Sequence, residues 1–180
     1  MAKIIKQRMA AEIEGDFVVF IIGARFGAPW KIIRNFWFLN SMPKMLRELE
    51  KQPERGLLGY RQFLGPRGAT LIQYWRSFEQ LERFARDPAM THLDAWKRFN
   101  QAVGADGSVG IWHETYLVPA GHHECIYGNM PRTGLAQAGE HLPATGARET
   151  AKRRLGLKGE PAVPSYPTPP TANEPGAAHR

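Results

Sequence analysis

The 180 residues carry a formal net charge of +7 and are 43% hydrophobic, with five tryptophans and one cysteine. That length and apolar content suit a soluble globular core rather than a disordered chain, and the lone thiol, Cys125, excludes an internal disulfide framework and four-thiolate zinc motifs. The longest apolar run, residues 17–24, falls far short of the roughly 20 residues of a membrane-spanning helix, and MAKIIKQRMAAEIEGD lacks the apolar centre and cleavage site of an export signal, so no membrane span and a reducing cytoplasm are expected.

The β-branched and aromatic stretch AEIEGDFVVFIIGAR predicts a first strand over Ala11–Arg25, central and largely buried. Pro29 suits the first turn of a helix over Trp30–Lys51, with Ile33, Trp37, Leu46 and Leu49 as its apolar positions and a kink or break near Ser41 expected from Pro43. A second strand, Leu58–Leu64, leads through Gly65-Pro66-Arg67-Gly68 to a third, Ala69–Arg76, the pattern of a hairpin. Ser77 is placed to cap the next helix by accepting from the amide of Gln80, and Phe78, Leu81, Phe84 and Ala85 follow helical spacing. Asp87-Pro88 interrupts it before a further helix over Thr91–Val103. The fourth strand, Val109–Val118, ends at Pro119-Ala120-Gly121.

The resulting order, β-α-β-β-α-β, is that of an α+β, ferredoxin-like fold: a four-stranded antiparallel sheet with both helices on one face. The expected organisation is a domain over residues 9–131, an extension over 132–157 with a short basic helix near Arg148–Leu155, and a tail over 158–180. That tail holds six prolines, linker chemistry rather than core. Much of the positive excess is local, in Arg148, Lys152, Arg153, Arg154 and Lys158. Such a run most often forms a solvated face, and no nucleic-acid motif accompanies it.

The densest polar stretch is GIWHETYLVPAGHHECIYGNMP, with three of the six histidines and the only cysteine. Alternation puts His123 with Cys125 and His122 with Glu124, but zinc needs three or four ligands and no spacing supplies the others, so no metal is assigned. Within the fourth strand Ile111, His113, Thr115 and Leu117 share one face; Trp112, Glu114, Tyr116 and Val118 share the other. His113 reads either as a hydrogen-bonded core residue or as a base in a cleft. Further back, Trp75 ends the third strand and His92 opens a helix, where they either fill the core and cap a turn or meet at one end of the helix layer.

The pattern W-x-S-F-E-x-L-x-x-F-A-x-D-P-x-x-x-H, Trp75 to His92, resembles the strand-to-helix signature of antibiotic-biosynthesis-type monooxygenases, which are dimeric α/β barrels. More closely, EIEGDFVVFIIGARFGAPWK, MPKMLRELE, GLLGY, LIQYWRSFEQLERFARD, HLDAWKRFN and GIWHETYLVPAGHHECIYGNMPRTGL resemble a monooxygenase-like family of the fumagillin-biosynthesis type, over about residues 9–155. The resemblance implies a homodimer whose two sheets close into a barrel, with a small-molecule pocket between sheet and helices in each protomer. It also implies oxidation of a hydrophobic aromatic or polyketide-like substrate by O₂ without cofactor. Trp75 corresponds to the pocket tryptophan of that superfamily and His92 to its histidine.

The site expected on these grounds has His92 or His113 as base, Arg61 stabilising an oxyanion, and Trp75, Tyr74 and Trp112 as walls. Because Tyr74 and Trp75 point to opposite faces, Trp75 is the preferred wall. Relatives that degrade haem carry an asparagine in the first strand, which DFVVFII lacks. Other members of the superfamily bind haem through a histidine, as dehydratases or peroxidases, so haem at His113 or His92 stays open, as does a non-catalytic ligand-binding module. The short continuation HHECIY is expected at a subunit contact.

Overall fold

In the computed structural model the described residues are 2–27, 36–87, 107 and 109–159, with nothing described of the side chains of 36–42. The run FVVFIIGARF forms strand β2, Phe17–Phe26, at the centre of the main sheet. Its Phe17-Val18 end is buried on both faces of the sheet and its middle half buried, which accounts for its near-continuous apolar character. It is preceded by β1, Ile5–Glu12, and followed by helix α1, Phe36–Glu50. Strands β3, Leu57–Gly65, and β4, Gly68–Trp75, form the hairpin. Helix α2, Phe78–Arg86, leads on towards β5, Val109–Val118.

The main sheet has the order β3-β4-β2-β5, all antiparallel. With α1 between β2 and β3 and α2 between β4 and β5, this is the ferredoxin-like α+β arrangement expected. Ser77 caps α2 as anticipated, its Oγ accepting from Gln80 N at 3.2 Å. The helix expected over Thr91–Val103 lies outside the described residues.

Two expectations are corrected. The single first strand is two, because Glu14-Gly15-Asp16 turns the chain: Gly15 has φ +71°, and Arg76 Nη1 donates to the carbonyls of Glu14 (2.6 Å) and Asp16 (3.2 Å), bracing the turn. Of the kink or break expected at Pro43, the break does not occur: α1 runs through it. A mid-helix proline removes a single donor, and burial of Met45, Leu46 and Leu49 holds the turn that follows against the sheet.

Those side chains, with Val18, Leu71, Trp75, Leu81 and Phe84, form the core on the helix side of the sheet. Each large one contributes roughly 1.5–3 kcal/mol by leaving water. The opposite face is half covered by a second, smaller sheet of order β6-β1-β7, with β6 at Tyr127–Met130 and β7 at Glu140–Pro143. Between them lies the one-turn helix α3, Leu135–Ala138. Ala11, Ile13, Phe17, Leu135 and Ala136 are the buried residues of this second layer.

The basic run is not simply a solvated face. Arg148 pairs with Glu12 at 2.5 Å, Arg153 with Glu149, and Arg154, whose side chain is 7% exposed, with Glu124. Helix α4, Ala151–Arg154, is capped by Thr150. The arginines thus tie the C-terminal extension to β1 and to the 121–126 segment.

Candidate functional site

Residues opposed across an antiparallel pair project to the same face, so the register defines what each face of the main sheet carries. On the helix side His113 stands opposite Ile22, Thr115 opposite Phe20, and Leu117 opposite Val18. Across β4, Ile22 faces Leu71, Phe20 faces Gln73, and Val18 faces Trp75. Tyr60 of β3 completes the row of Gln73.

This face is closed at one side and open at the other. Trp75 is 0% exposed and Gln73 2%, whereas Leu117 is 68% exposed, and His113 and Thr115 are exposed as well. Phe20 and Ile22 lie between, half buried. The His113 ring tilts against Phe20 with centroids 5.7 Å apart and planes at 43°. The result is an apolar floor ending in an accessible imidazole, the side chain best suited to exchange a proton near neutrality.

The expected constellation divides between the two faces. Trp75 shares the helix side with His113, but fills the core there. It lies 5.3 Å from the Phe84 ring, and its indole N–H donates to Gln73 Oε1 at 2.7 Å. Arg61, Tyr74 and Trp112 belong to the opposite face, as their register with Ile72, Val19 and Gly23 requires. The Arg61 guanidinium lies 4.6 Å over Phe63, and the Trp112 indole occupies the space that a side chain on Gly23 would need. Arg61 and His113 therefore do not share a pocket floor. His92 lies outside the described residues.

Tyr74 packs into the second layer near Tyr127 and Cys125. Burial is the main reason its phenol sits above the usual tyrosine range, followed by the nearby Cys125. Tyr127 is raised strongly, again chiefly by burial.

The HHEC segment also packs within its own chain. Cys125 Sγ accepts from Ala11 N at 3.2 Å, and burial pushes its thiol up. His123 meets Phe17 edge-on at 5.2 Å, and burial holds its imidazole below the ordinary histidine value. A cavity of about 250 Å³ opens beside His123 and Cys125, bounded by Ala10–Ile13 and Arg154. Among the described residues no three metal-ligating side chains converge.

Sequence reasoning passed over Phe20 and Gln73. Both were available from parity: in LIQYW, Gln73 alternates onto the face of Trp75, and a glutamine between apolar neighbours on a buried row is itself a signal.

Comparison with known proteins extends this picture. A curated relative, monooxygenase af470 of Aspergillus fumigatus, is 29% identical over 152 residues, covering 72% of this chain and 53% of the relative. This chain thus spans about half the length of that relative. Among solved structures, the aldoxime dehydratase OxdRE in complex with butyraldoxime superposes with a TM-score of 0.60 at 17% identity, over 77% of this chain and 43% of the other. A second aldoxime dehydratase gives a TM-score of 0.59 at 17% identity, over 77% of this chain and 44% of the other; both likenesses concern the fold. The monooxygenase af470-like family profile matches residues 17–135, which take in all four main-sheet strands, both intervening helices and β6, and the chain belongs to that family.

Proposed function

We propose that this protein is a monooxygenase-like enzyme that oxidises a hydrophobic aromatic or polyketide-like molecule with O₂, using the substrate's own electrons. The observation that carries this reading is the placement of His113. It stands accessible on the helix-side face, against Phe20 and beside Ile22, in a chain of a monooxygenase-like family. The apolar floor suits a flat ring system. His113 takes a proton from an acidic C–H or phenolic O–H, and the resulting anion is electron-rich enough to reduce O₂. Carbon–oxygen bond formation gives a hydroperoxide; loss of water from it leaves a carbonyl. One oxygen atom enters the substrate, the other leaves as water, and all four electrons that reduce O₂ come from the carbon whose CH₂ becomes C=O. No external reductant is required by that balance.

The test is O₂ uptake by purified protein with anthrone, in the presence of a chelator and without added flavin. The expected product has gained one oxygen atom and lost two hydrogens. A Soret band in the untreated protein, with turnover that depends on it, would replace this reading by a haem-dependent one.

The second part of the proposal is a homodimer. The end of the non-helix face that the second layer leaves open carries Phe63 (41% exposed) and Trp112 (42%), with Arg61 and Glu114 in the adjacent row. Consider two copies facing each other about a two-fold axis parallel to the strands. Strand β3 of one then lies over β5 of the other, which sets Arg61 against the partner subunit's Glu114 and Phe63 against the partner subunit's Trp112. The face is self-complementary in charge and in aromatic character, as a two-fold contact requires.

A further inference from the structure

Gln73 is the most buried polar side chain on the helix-side face, at 2% exposed. It stands between Tyr60 of β3 and Phe20 of β2, in a row where packing alone asks for an apolar residue. Its Oε1 accepts from the Trp75 indole N–H at 2.7 Å. An indole nitrogen only donates, so the amide oxygen must face Trp75 and the NH₂ group must turn away from it. That NH₂ makes no hydrogen bond among the described residues. Buried amide donors are nearly always paired. The Gln73 nitrogen is not among the fully buried side-chain atoms that lack a partner, so this amide keeps a small accessible edge, and a donor held there in a fixed orientation meets an acceptor arriving from outside with little reorganisation.

We propose that Gln73 donates a hydrogen bond to a carbonyl oxygen of the substrate, with Trp75 as the positioning residue that holds the amide. The proposal rests on the helix-side site described above and narrows its substrate class. By register Gln73 and His113 are two strands and one side-chain step apart, which sets their Cα atoms about 12 Å from each other. With both side chains reaching inward, one ligand that touches both is a fused ring system with an acidic C–H or O–H at the β5 end and a conjugated carbonyl at the β4 end. Charge created by deprotonation at His113 then passes through the conjugated system to the oxygen that Gln73 holds.

The experiment compares anthrone, carbon-13 labelled at its carbonyl, with 9,10-dihydroanthracene, which has the same rings and no oxygen. Binding is measured under nitrogen. Wild-type protein is expected to prefer anthrone by ~10-fold, the equivalent of one good hydrogen bond, and to lower its carbonyl stretching frequency relative to a hydrocarbon solvent. Gln73→Met should abolish both effects, and Trp75→Phe should broaden the band by releasing the amide. Equal affinities in the wild type, or a band that Gln73→Met does not move, would show that Gln73 serves Trp75 alone. If Gln73→Met does not fold, the wild-type infrared band decides: an unshifted stretch overturns the proposal. Failure of the site itself is a different result, in which anthrone does not bind or leaves the His113 ring signals in the NMR spectrum unmoved.

Discussion

His113 carries the chemistry proposed for this protein, and its neighbours explain why it stands apart from the other described histidines. His122 is exposed in the 121–126 segment, whereas His123 and His141 each have a buried ring nitrogen without a partner. Replacing His113 by alanine should lower anthrone turnover by about 10²–10⁴-fold, the usual contribution of a positioned base. Because the position is exposed, the urea midpoint should stay where it is. His123 has the opposite signature. Burial holds it below the ordinary value of 6.5, so the unfolded chain takes up a proton as pH falls through that value while the native protein does not. Stability should therefore fall as pH drops below about 6.5, and level off once the native imidazole also protonates. His141 is lowered in the same direction, by burial and then by Arg132, and adds to the slope. Urea midpoints at neutral and mildly acidic pH should lie closer together in His123→Gln than in the wild type.

At the scale of elements, α2 was legible from its cap and its spacing, because Ser77 and the apolar positions Leu81 and Phe84 act within one helix. Ser77→Ala should cost about 1 kcal/mol, read as a lower urea midpoint at unchanged slope. The β3–β4 hairpin was equally legible, its turn lying between Gly65 and Gly68. What the turn chemistry did not reveal is why position 68 must be glycine. A Cβ there would overlap the carbonyl oxygen of Ala24 on β2, a neighbour distant in sequence. Gly68→Ala should therefore destabilise the sheet by more than an ordinary turn substitution, with β2 amides near Ala24 losing hydrogen-exchange protection first. The division of β1 from β2 was missed for a related reason: AEIEGDFVVFIIGAR is a continuous strand by composition, and only the Arg76 clamp on Glu14 and Asp16 shows where it turns.

For the whole molecule, the two sheet faces have different partners. The helix side buries the larger core and opens towards β5. The other side is covered at one end by the β6-β1-β7 layer and leaves Phe63 and Trp112 exposed at the other. No helix among the described residues is long and apolar enough to cross a membrane. If the open end seats a second copy as proposed, Arg61→Glu and Glu114→Arg should each weaken dimerisation through like charges, and the double variant should recover it. Sedimentation equilibrium at low salt would measure this; equal loss in all three would exclude the paired register.

The order of strands and helices along the chain from β2 to β5, the helix cap and the parity of β5 were determined by the sequence, because each rests on interactions within a few residues or on a repeating period. The tertiary structure alone decided how the polar residues sort. It placed Trp75 in the core and Arg61 on the face away from His113, packed HHEC against β1 of its own chain, and brought Gln73 into the row of Phe20 and Thr115. Those outcomes depend on register between strands far apart in the chain. Parity along a single strand gives two faces but cannot say which of them the helices cover.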